Sequence, residues 1–192
     1  MPGTAASRIV AADTMVRRIH RNRGYVHVYT GDGKGKTTAA LGLSLRAAGA
    51  GLTVLFAQFL KGQPTGELAA LKRLTDRITV RRYGRRQFLR GAMSAADIAA
   101  AQAGLADVRT AAASGQYNVV ILDEACVAVR LGLLSTADLL HFLDAVPRGV
   151  EVVFTGRGAP AALARRADLV TEMKCVKHYF AKGIRARRGI ER

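Results

Sequence analysis

The residues with the clearest chemical use form one glycine-rich stretch near the start of the chain. In order they are Gly31, Asp32, Gly33, Lys34, Gly35, Lys36, Thr37 and Thr38. The stretch follows the apolar run Tyr25–Tyr29 and precedes a helix-forming segment, which is the layout of a P-loop. Glycines allow backbone N–H groups to surround an anion, Lys36 supplies a positive charge, and the Thr37 hydroxyl is a Mg²⁺ ligand in such loops. The sequence therefore predicts a polyphosphate-binding site.

One position of this loop departs from the usual pattern. A P-loop normally has glycine five residues before the glycine of its Gly-Lys-Thr end, and this chain has Thr30 there. Gly31 is expected to make the turn instead, because glycine adopts backbone angles that side chains disfavour. The alternative, a glycine-rich hairpin between two strands, is disfavoured because apolar residues continue at helical spacing through Thr38–Arg46.

Two adjacent carboxylates provide a second chemical element. Asp123 and Glu124 follow the four apolar residues Val119–Leu122, which is the Walker B arrangement at the end of a buried strand. Beside a P-loop these acids are predicted to hold Mg²⁺, directly or through water. Acids at such positions also cap the following helix in many proteins, so that use stays open. Arg46, ten positions after Lys36, is a candidate for either a phosphate contact or a solvated residue.

The surrounding sequence alternates short apolar runs with helical patterns. The predicted strands are Tyr25–Tyr29, Thr53–Phe59, Ile78–Val80, Asn118–Leu122, Glu151–Thr155 and Leu169–Met173. Two predicted helices begin at the capping boxes Ser94–Asp97 and Ser135–Asp138, and Pro147 ends the second of them. This alternation predicts an α/β fold, a single P-loop NTPase-like (RecA-like) domain over residues 23–192. Its mostly parallel sheet is expected to have helices on both faces, and residues 1–22 are predicted to form a flexible basic arm.

Composition and cysteine usage limit the class of protein. With 192 residues, 49% of them hydrophobic, the chain is long enough for one domain with a sizeable core. It has no apolar run near the ~20 residues that cross a bilayer and no signal-peptide pattern, so no membrane association is expected. Cys126 and Cys175 lack a Cys-x-x-Cys partner and have apolar neighbours. We expect both to be buried structural thiols in a reducing, cytoplasmic location.

The net charge of +16 is unevenly distributed, with basic clusters in residues 72–90 and 174–192. Such clusters raise the hypothesis of a nucleic-acid-stimulated P-loop ATPase. A positive field that attracts a triphosphate, or compositional drift toward arginine, is a competing explanation. The sequence lacks a basic strand interleaved with aromatic residues that stack on bases, so nucleic-acid binding is not expected. A non-catalytic ATP-sensing module is a further alternative.

An ordered set of segments narrows the choice among P-loop proteins. The set comprises Gly24–Gly49, Gln58–Gly62, Gly66-Glu67, Leu122–Glu124, Phe154–Arg157, Ala167–Met173, Val176–Phe180, Lys182–Ile184 and Ala186–Glu191. Together these segments closely resemble the P-loop family of ATP:corrinoid adenosyltransferases, which act on cob(I)yrinic acid a,c-diamide and cob(I)alamin. The resemblance extends from about Arg23 to the end of the chain, and Thr30 fits this family's loop.

The resemblance implies group transfer rather than hydrolysis. In this family the Co(I) of a reduced corrinoid attacks C5′ of ATP, the adenosyl group moves to cobalt, and triphosphate leaves. Such a reaction serves adenosylcobalamin biosynthesis or salvage. The resemblance further implies ATP as co-substrate, Mg²⁺ as cofactor, a reductase that supplies Co(I), and a homodimer.

The resemblance also implies roles for particular residues. Residues 31–38 and Arg46 would contact ATP, which lies across the loop in the reverse of its usual sense in this family. Lys36 would neutralise phosphate charge. Thr37 and Glu124, with Asp123 behind it, would complete the metal site.

The expected corrinoid contact is less direct. The matching segment is Tyr83–Leu89, and better-known members of the family carry two aromatic residues just after its glycine. This chain has Arg85 and Gln87 there, so Phe88 is the candidate substitute. His178 lies in a segment of structural character, and no metal role is assigned to it.

Overall fold

The computed structural model describes residues 23–60, 66–71, 73, 76–84 and 93–191. Its strands are β1 (Val26–Thr30), β2 (Val54–Phe59), β3 (Ile78–Tyr83), β4 (Val119–Asp123), β5 (Glu151–Thr155) and β6 (Leu169–Glu172). Its helices are α1 (Lys36–Gly49), α2 (Gly66–Leu71), α3 (Ala95–Ala113), α4 (Ala125–Arg130), α5 (Thr136–Ala145) and α6 (Ala161–Arg166), with a 3₁₀ helix at Tyr179–Lys182. The predicted arm at residues 1–22 and the predicted corrinoid contact Phe88 lie outside the described residues.

The strands form one sheet in the order β3-β2-β4-β5-β1-β6. Every pairing between neighbouring strands is parallel. β2 and β4 lie in the interior of the sheet and are buried along their whole length, which explains why they have nearly continuous apolar sequences. The α/β class with a parallel, P-loop NTPase-like sheet is confirmed.

β3 extends three residues beyond the predicted Ile78–Val80, as far as Tyr83. Arg81 and Arg82 interrupt the apolar pattern, but β3 is an edge strand whose residues are mostly half-buried. Arg81 Nη1 lies 2.9 Å from Oδ1 of Asp107 in α3, and the Tyr83 hydroxyl also donates to Asp107. The carboxylate of Asp107 on the neighbouring helix therefore allows the charged Arg81 to stand in this strand.

Both predicted capping boxes are confirmed. The Ser94 side chain accepts the Asp97 N–H, and the Ser135 side chain accepts the Asp138 N–H. In each box the aspartate side chain accepts the serine N–H in return, so two end groups of the helix are satisfied. α5 ends at Ala145, two residues before Pro147.

Apolar layers cover both faces of the sheet. Leu55 and Ala57 of β2 belong to one cluster, together with residues of α3, α4 and α5. Val54 and Phe56 of the same strand belong to the other cluster, together with residues of α1. Because all strands are parallel, β1, β4 and β5 end side by side at one edge of the sheet. That edge is where ligands bind in sheets of this kind.

Cys126 is buried in α4, as predicted, whereas the prediction that Cys175 is buried is wrong. Cys175 follows β6 on a part of the chain that leaves the sheet, where even Val176 is 94% exposed. Apolar neighbours in sequence therefore do not surround it in space. In the part of the chain that the structure describes, no helix combines the length and the apolar character needed to cross a bilayer.

Candidate active site

The glycine-rich loop connects β1 to α1 at the carboxyl edge of the sheet. Gly31 and Gly35 have φ angles of 91° and 123°, which side chains rarely adopt. Gly31 therefore makes the turn, and α1 begins at Lys36. Gly35 stands at the N-cap and provides no side-chain cap, so the first N–H groups of α1 remain suited to an anion.

Thr30 has a structural use at the position where glycine is usual. Its hydroxyl accepts the Ala159 N–H at 3.1 Å, and its carbonyl oxygen accepts the Met173 N–H at 2.8 Å. These bonds link the start of the loop to the segments that follow β5 and β6. The departure from the common pattern thus serves the packing around the loop.

The Lys36 side chain folds back over the loop. Its Nζ donates to the carbonyl oxygens of Gly31 and Gly33, both at 2.6 Å, and the residue is only 9% exposed. Burial, followed by the positive charge of Arg157, lowers the pKa of Lys36, while Glu124 and Asp32 oppose that shift. Phosphate oxygens carry charge, so they are stronger partners for this cation than the two carbonyls that hold it here.

Asp123 lies fully buried beneath the loop, at the end of β4. Its Oδ1 accepts from the Thr37 hydroxyl at 2.9 Å and from the Thr155 hydroxyl at 2.7 Å. Its Oδ2 lies 3.4 Å from Nε2 of the buried Gln58. The fold therefore brings Thr37 and Asp123, predicted as parts of one site, into direct contact.

Glu124 differs from its neighbour Asp123 in facing the cleft. Its φ angle is 64°, a left-handed conformation that residues other than glycine seldom adopt. Its N–H donates to the Thr155 hydroxyl at 2.9 Å. Although Glu124 stands at the N-cap of α4, its side chain makes no cap hydrogen bond, so capping is not its use here.

The chain after β6 packs against the other side of the loop. The Gly33 N–H donates to the Met173 carbonyl at 2.6 Å, and Lys34 Nζ donates to the Ile190 carbonyl at 2.9 Å. A Cβ added to Gly33 would lie 2.7 Å from the carbonyl oxygens of both Met173 and Lys174. The close approach of the two backbones therefore requires glycine at position 33.

These elements surround a cleft of about 970 Å³, at the upper end of the range of small-molecule sites. It is lined by Asp32, Gly33, Lys34, Gly35, Lys36, Thr37, Thr38, Leu41, Gly66, Glu67, Glu124, Val127, Arg130, Arg157, His178, Gly189, Ile190 and Glu191. The lining combines loop backbone and basic side chains with carboxylates, among them that of Glu124. The arrangement suits a polyanion bound together with a cation.

The structure brings most of the predicted ATP contacts to this cleft, with Gly31 and Arg46 as the exceptions. Arg46 is exposed in the last turn of α1, about 15 Å along the helix from Lys36. There its charge opposes the effects of burial and of Glu151, which raise the pKa of Tyr29. Contact between Arg46 and the phosphates stays a prediction.

Sequence reasoning assigned no role to two cations that line the cleft, Arg157 and Arg130. Arg157 follows the end of β5 by two residues, so its position at a strand's carboxyl end was a usable signal. Arg130 is the last residue of α4, and its approach to the cleft depends on how that helix packs. His178 also lines the cleft, and its Nδ1 accepts the Phe180 N–H at 3.0 Å.

A parallel α/β sheet with a glycine-rich loop between β1 and α1 defines the P-loop NTPase-like class. The model of one family within this class, the ATP:corrinoid adenosyltransferases BtuR/CobO/CobP, matches residues 22–192. The chain belongs to this family, as the sequence predicted.

Curated relatives agree with this membership. The chain is 36% identical to the corrinoid adenosyltransferase of Pseudomonas aeruginosa over 180 residues, covering 93% of this chain and 89% of that protein. It is 35% identical to the corrinoid adenosyltransferase CobA of Salmonella typhimurium, covering 93% of this chain and 91% of the relative. It is also 40% identical to an uncharacterized protein of Nostoc sp., covering 84% of this chain and 46% of that protein. These relatives do not favour a nucleic-acid-stimulated ATPase.

Proposed function

We propose that this protein transfers the 5′-deoxyadenosyl group of ATP to the Co(I) of a reduced corrinoid and releases triphosphate. The observation that carries the proposal is the cleft in which Lys36, Arg157 and Glu124 surround a glycine-rich loop. Membership of the adenosyltransferase family supplies the reaction, and the cleft supplies a place for its leaving group.

In this reaction the electron pair on Co(I) forms the bond between cobalt and C5′. The bond between C5′ and the triphosphate oxygen breaks, and triphosphate leaves with that electron pair. Negative charge therefore grows on the leaving oxygen in the transition state. In this proposal that charge is stabilised by Lys36 and Arg157, which line the cleft, and by the N–H groups at the start of α1.

We assign the binding of Mg²⁺ to Thr37 and Glu124, with Asp123 beneath them. The Thr37 hydroxyl donates its hydrogen bond to Asp123, so its lone pairs suit a hard cation, and Glu124 adds a carboxylate oxygen. Among the described residues, no group of three or more His, Cys, Asp or Glu side chains could hold a metal without other ligands. At P-loops, phosphate and water oxygens complete the shell. Bound Mg²⁺ would neutralise part of the charge on the triphosphate.

Further parts of the proposal rest on family resemblance. Residues 31–38 and Arg46 contact ATP, and Phe88 contacts the corrinoid. The protein acts as a homodimer, and a separate reductase supplies Co(I). A reducing, cytoplasmic location accords with Cys126 and Cys175, which are both free thiols.

The test is an anaerobic assay with Mg²⁺-ATP and chemically reduced cob(I)alamin, following loss of the Co(I) spectrum and identifying the phosphate product. We expect adenosylcobalamin and triphosphate, with a rate reduced at least about 10²-fold in Lys36→Ala because one charge-stabilising group is lost. ADP and phosphate that increase with added DNA or RNA would contradict the proposal and favour the nucleic-acid-stimulated ATPase. Tight ATP binding without turnover would favour the ATP-sensing module.

A further inference from the structure

Thr155, the last residue of β5, joins the two acidic residues at the end of β4. Its hydroxyl donates to Asp123 Oδ1 at 2.7 Å and accepts the Glu124 N–H at 2.9 Å. A hydroxyl has one hydrogen and two lone pairs, so these two bonds fix the direction of its proton. Thr155 is fully buried, so water does not replace either bond.

The backbone next to Thr155 is also closely packed. Gly156 has a φ angle of 137°, and a Cβ there would lie 2.9 Å from both Cys126 Cβ and the Val127 nitrogen. The turn after β5 therefore presses against the start of α4, directly after Glu124. The bond from the Glu124 N–H to Thr155 acts directly on the left-handed backbone of Glu124, and the close packing of Gly156 constrains Cys126 and Val127, which follow it.

Thr155 also completes the surroundings of Asp123. The hydroxyls of Thr37 and Thr155 both donate to Oδ1, while Gln58 Nε2 approaches Oδ2 at 3.4 Å. Donors on both oxygens restrict rotation of this carboxylate. Because Asp123 is restricted, the direction in which Thr37 donates its proton is restricted as well.

We propose that Thr155 is a positioning residue for the metal. Through Asp123 it sets the orientation of the Thr37 hydroxyl, and through its bond to the Glu124 N–H it holds Glu124 toward the cleft. One side chain thus acts on both protein ligands without touching the cation. The inference rests on the Mg²⁺ site of the proposed function.

The test compares ATP affinity in Mg²⁺ with ATP affinity in EDTA, measured by calorimetry without corrinoid. The ratio of the two affinities reports how strongly the protein couples metal to nucleotide. In Thr155→Val, which keeps the shape and removes the hydroxyl, we expect this ratio to fall about 10- to 100-fold, as is typical when a residue supporting a metal ligand is lost. ATP affinity in EDTA should stay within about twofold of the wild type.

Two variants control for stability. Thr155→Ser keeps the hydroxyl and should restore most of the ratio. Ser44→Ala removes another fully buried hydroxyl, which donates to the Ala40 carbonyl at 2.9 Å within α1, and should leave the ratio unchanged. Thermal melts of all variants separate a loss of metal coupling from a loss of fold.

Several outcomes would overturn the inference. The first is a wild-type ratio in Thr155→Val, and the second is an equal loss in Thr155→Ser. Thr155→Ala is a second variant without the hydroxyl. If it and Thr155→Val both unfold while Ser44→Ala stays folded, the hydroxyl serves the fold and the inference is overturned. Since the assay contains no corrinoid, a wild type that couples metal to ATP but never adenosylates would contradict the proposed function and leave this inference intact.

Discussion

The two sides of the cleft are built in different ways. On one side, Asp123 and Thr155 are fully buried and Lys36 nearly so, and all three follow or end interior strands of the sheet. On the other side, the chain after β6 is exposed, with Phe180 at 72% and Ile190 at 58%. Changes on the buried side should therefore affect stability and chemistry together, whereas changes on the exposed side should affect ligand binding alone.

The exposed side is organised by a few local contacts. Arg187 and the Tyr179 hydroxyl both donate to the Glu191 carboxylate, and these hydrogen bonds lower the pKa of Glu191 to about 2. Arg187 is exposed, whereas Tyr179 and Glu191 are half-buried. An ion pair with one exposed partner adds little to the stability of the fold. Among the bonds described above, this segment is connected directly to the loop by Lys34, the Gly33 N–H and the Thr30 carbonyl.

The largest expected difference between buried and exposed regions is in the reaction rates of their thiols. Burial, and then the charge of Glu124, raise the pKa of Cys126 to about 12, so at pH 8 only about 1 in 10⁴ of its thiol is ionised. Exposed Cys175 should react with a disulfide reagent at least about 10³-fold faster. The measurement is the rate of labelling at each site, read by mass spectrometry. As a control, the two thiols should react at equal rates after denaturation. Equal rates in the native protein as well would contradict the expected difference between the two thiols.

Removing Asp123 should produce the next largest effect. Asp123→Ala removes the acceptor of two buried groups, the Thr155 hydroxyl and the Gln58 amide, and also removes one partner of the Thr37 hydroxyl at the cleft. Each buried group left unpaired costs about 1–3 kcal/mol, so we expect unfolding to become easier by about 3 kcal/mol or more, together with loss of adenosylation. Urea unfolding and the anaerobic assay measure the two effects.

Asp168→Ala provides the control for this variant. Asp168 accepts the Val26 N–H at 2.9 Å, at the opposite edge of the sheet. Its loss should reduce stability without changing the activity of the folded fraction. A fully folded but inactive Asp168→Ala protein would contradict the expectation that only the carboxyl edge of the sheet carries the activity.

Gly33→Ala should disturb the junction between the two sides. The added Cβ would lie 2.7 Å from two backbone carbonyl oxygens, so the segment after β6 must move away from the loop. We expect a loss of about 1–3 kcal/mol in stability and a clear loss of ATP affinity. In the control Gly42→Ala, on α1, the Cβ meets nothing within 4 Å, and the variant should gain about 0.5–1 kcal/mol. Equal melting temperatures for the two variants would argue against the close packing.

Glu191→Gln should have the smallest effect. The amide oxygen can still accept from Tyr179 and Arg187 Nη2, but the amide NH₂ cannot accept from the backbone N–H and Nε of Arg187. The melting temperature should therefore fall only slightly, while one negative charge leaves the cleft. We expect ATP to bind about two- to fivefold more tightly at low salt, with the gain lost at high salt. Asp144→Asn removes an exposed charge away from the cleft and is the matched control. An affinity gain that persists in high salt would contradict an electrostatic origin.

Local patterns in the sequence were enough to predict much of the fold. The strand Glu151–Thr155 and the capping boxes at Ser94 and Ser135 occur where they were predicted, because each depends on residues within one short segment. The loop at 31–38 could be located for the same reason. The extension of β3 could not, because it depends on Asp107 of a distant helix.

The sequence by itself determined that this protein has a glycine-rich loop, a Walker B strand and a set of segments specific to one family. Only the tertiary structure decided which residues meet around them. Thr155 touches Asp123 across 32 positions because the strand order places β5 beside β4, with β1 on its other side. Lys34 meets Ile190 across 156 positions because the chain after β6 returns to the loop. Hydrophobic periodicity specifies strands and helices but not their order in the sheet, so these contacts had no signal within any one segment.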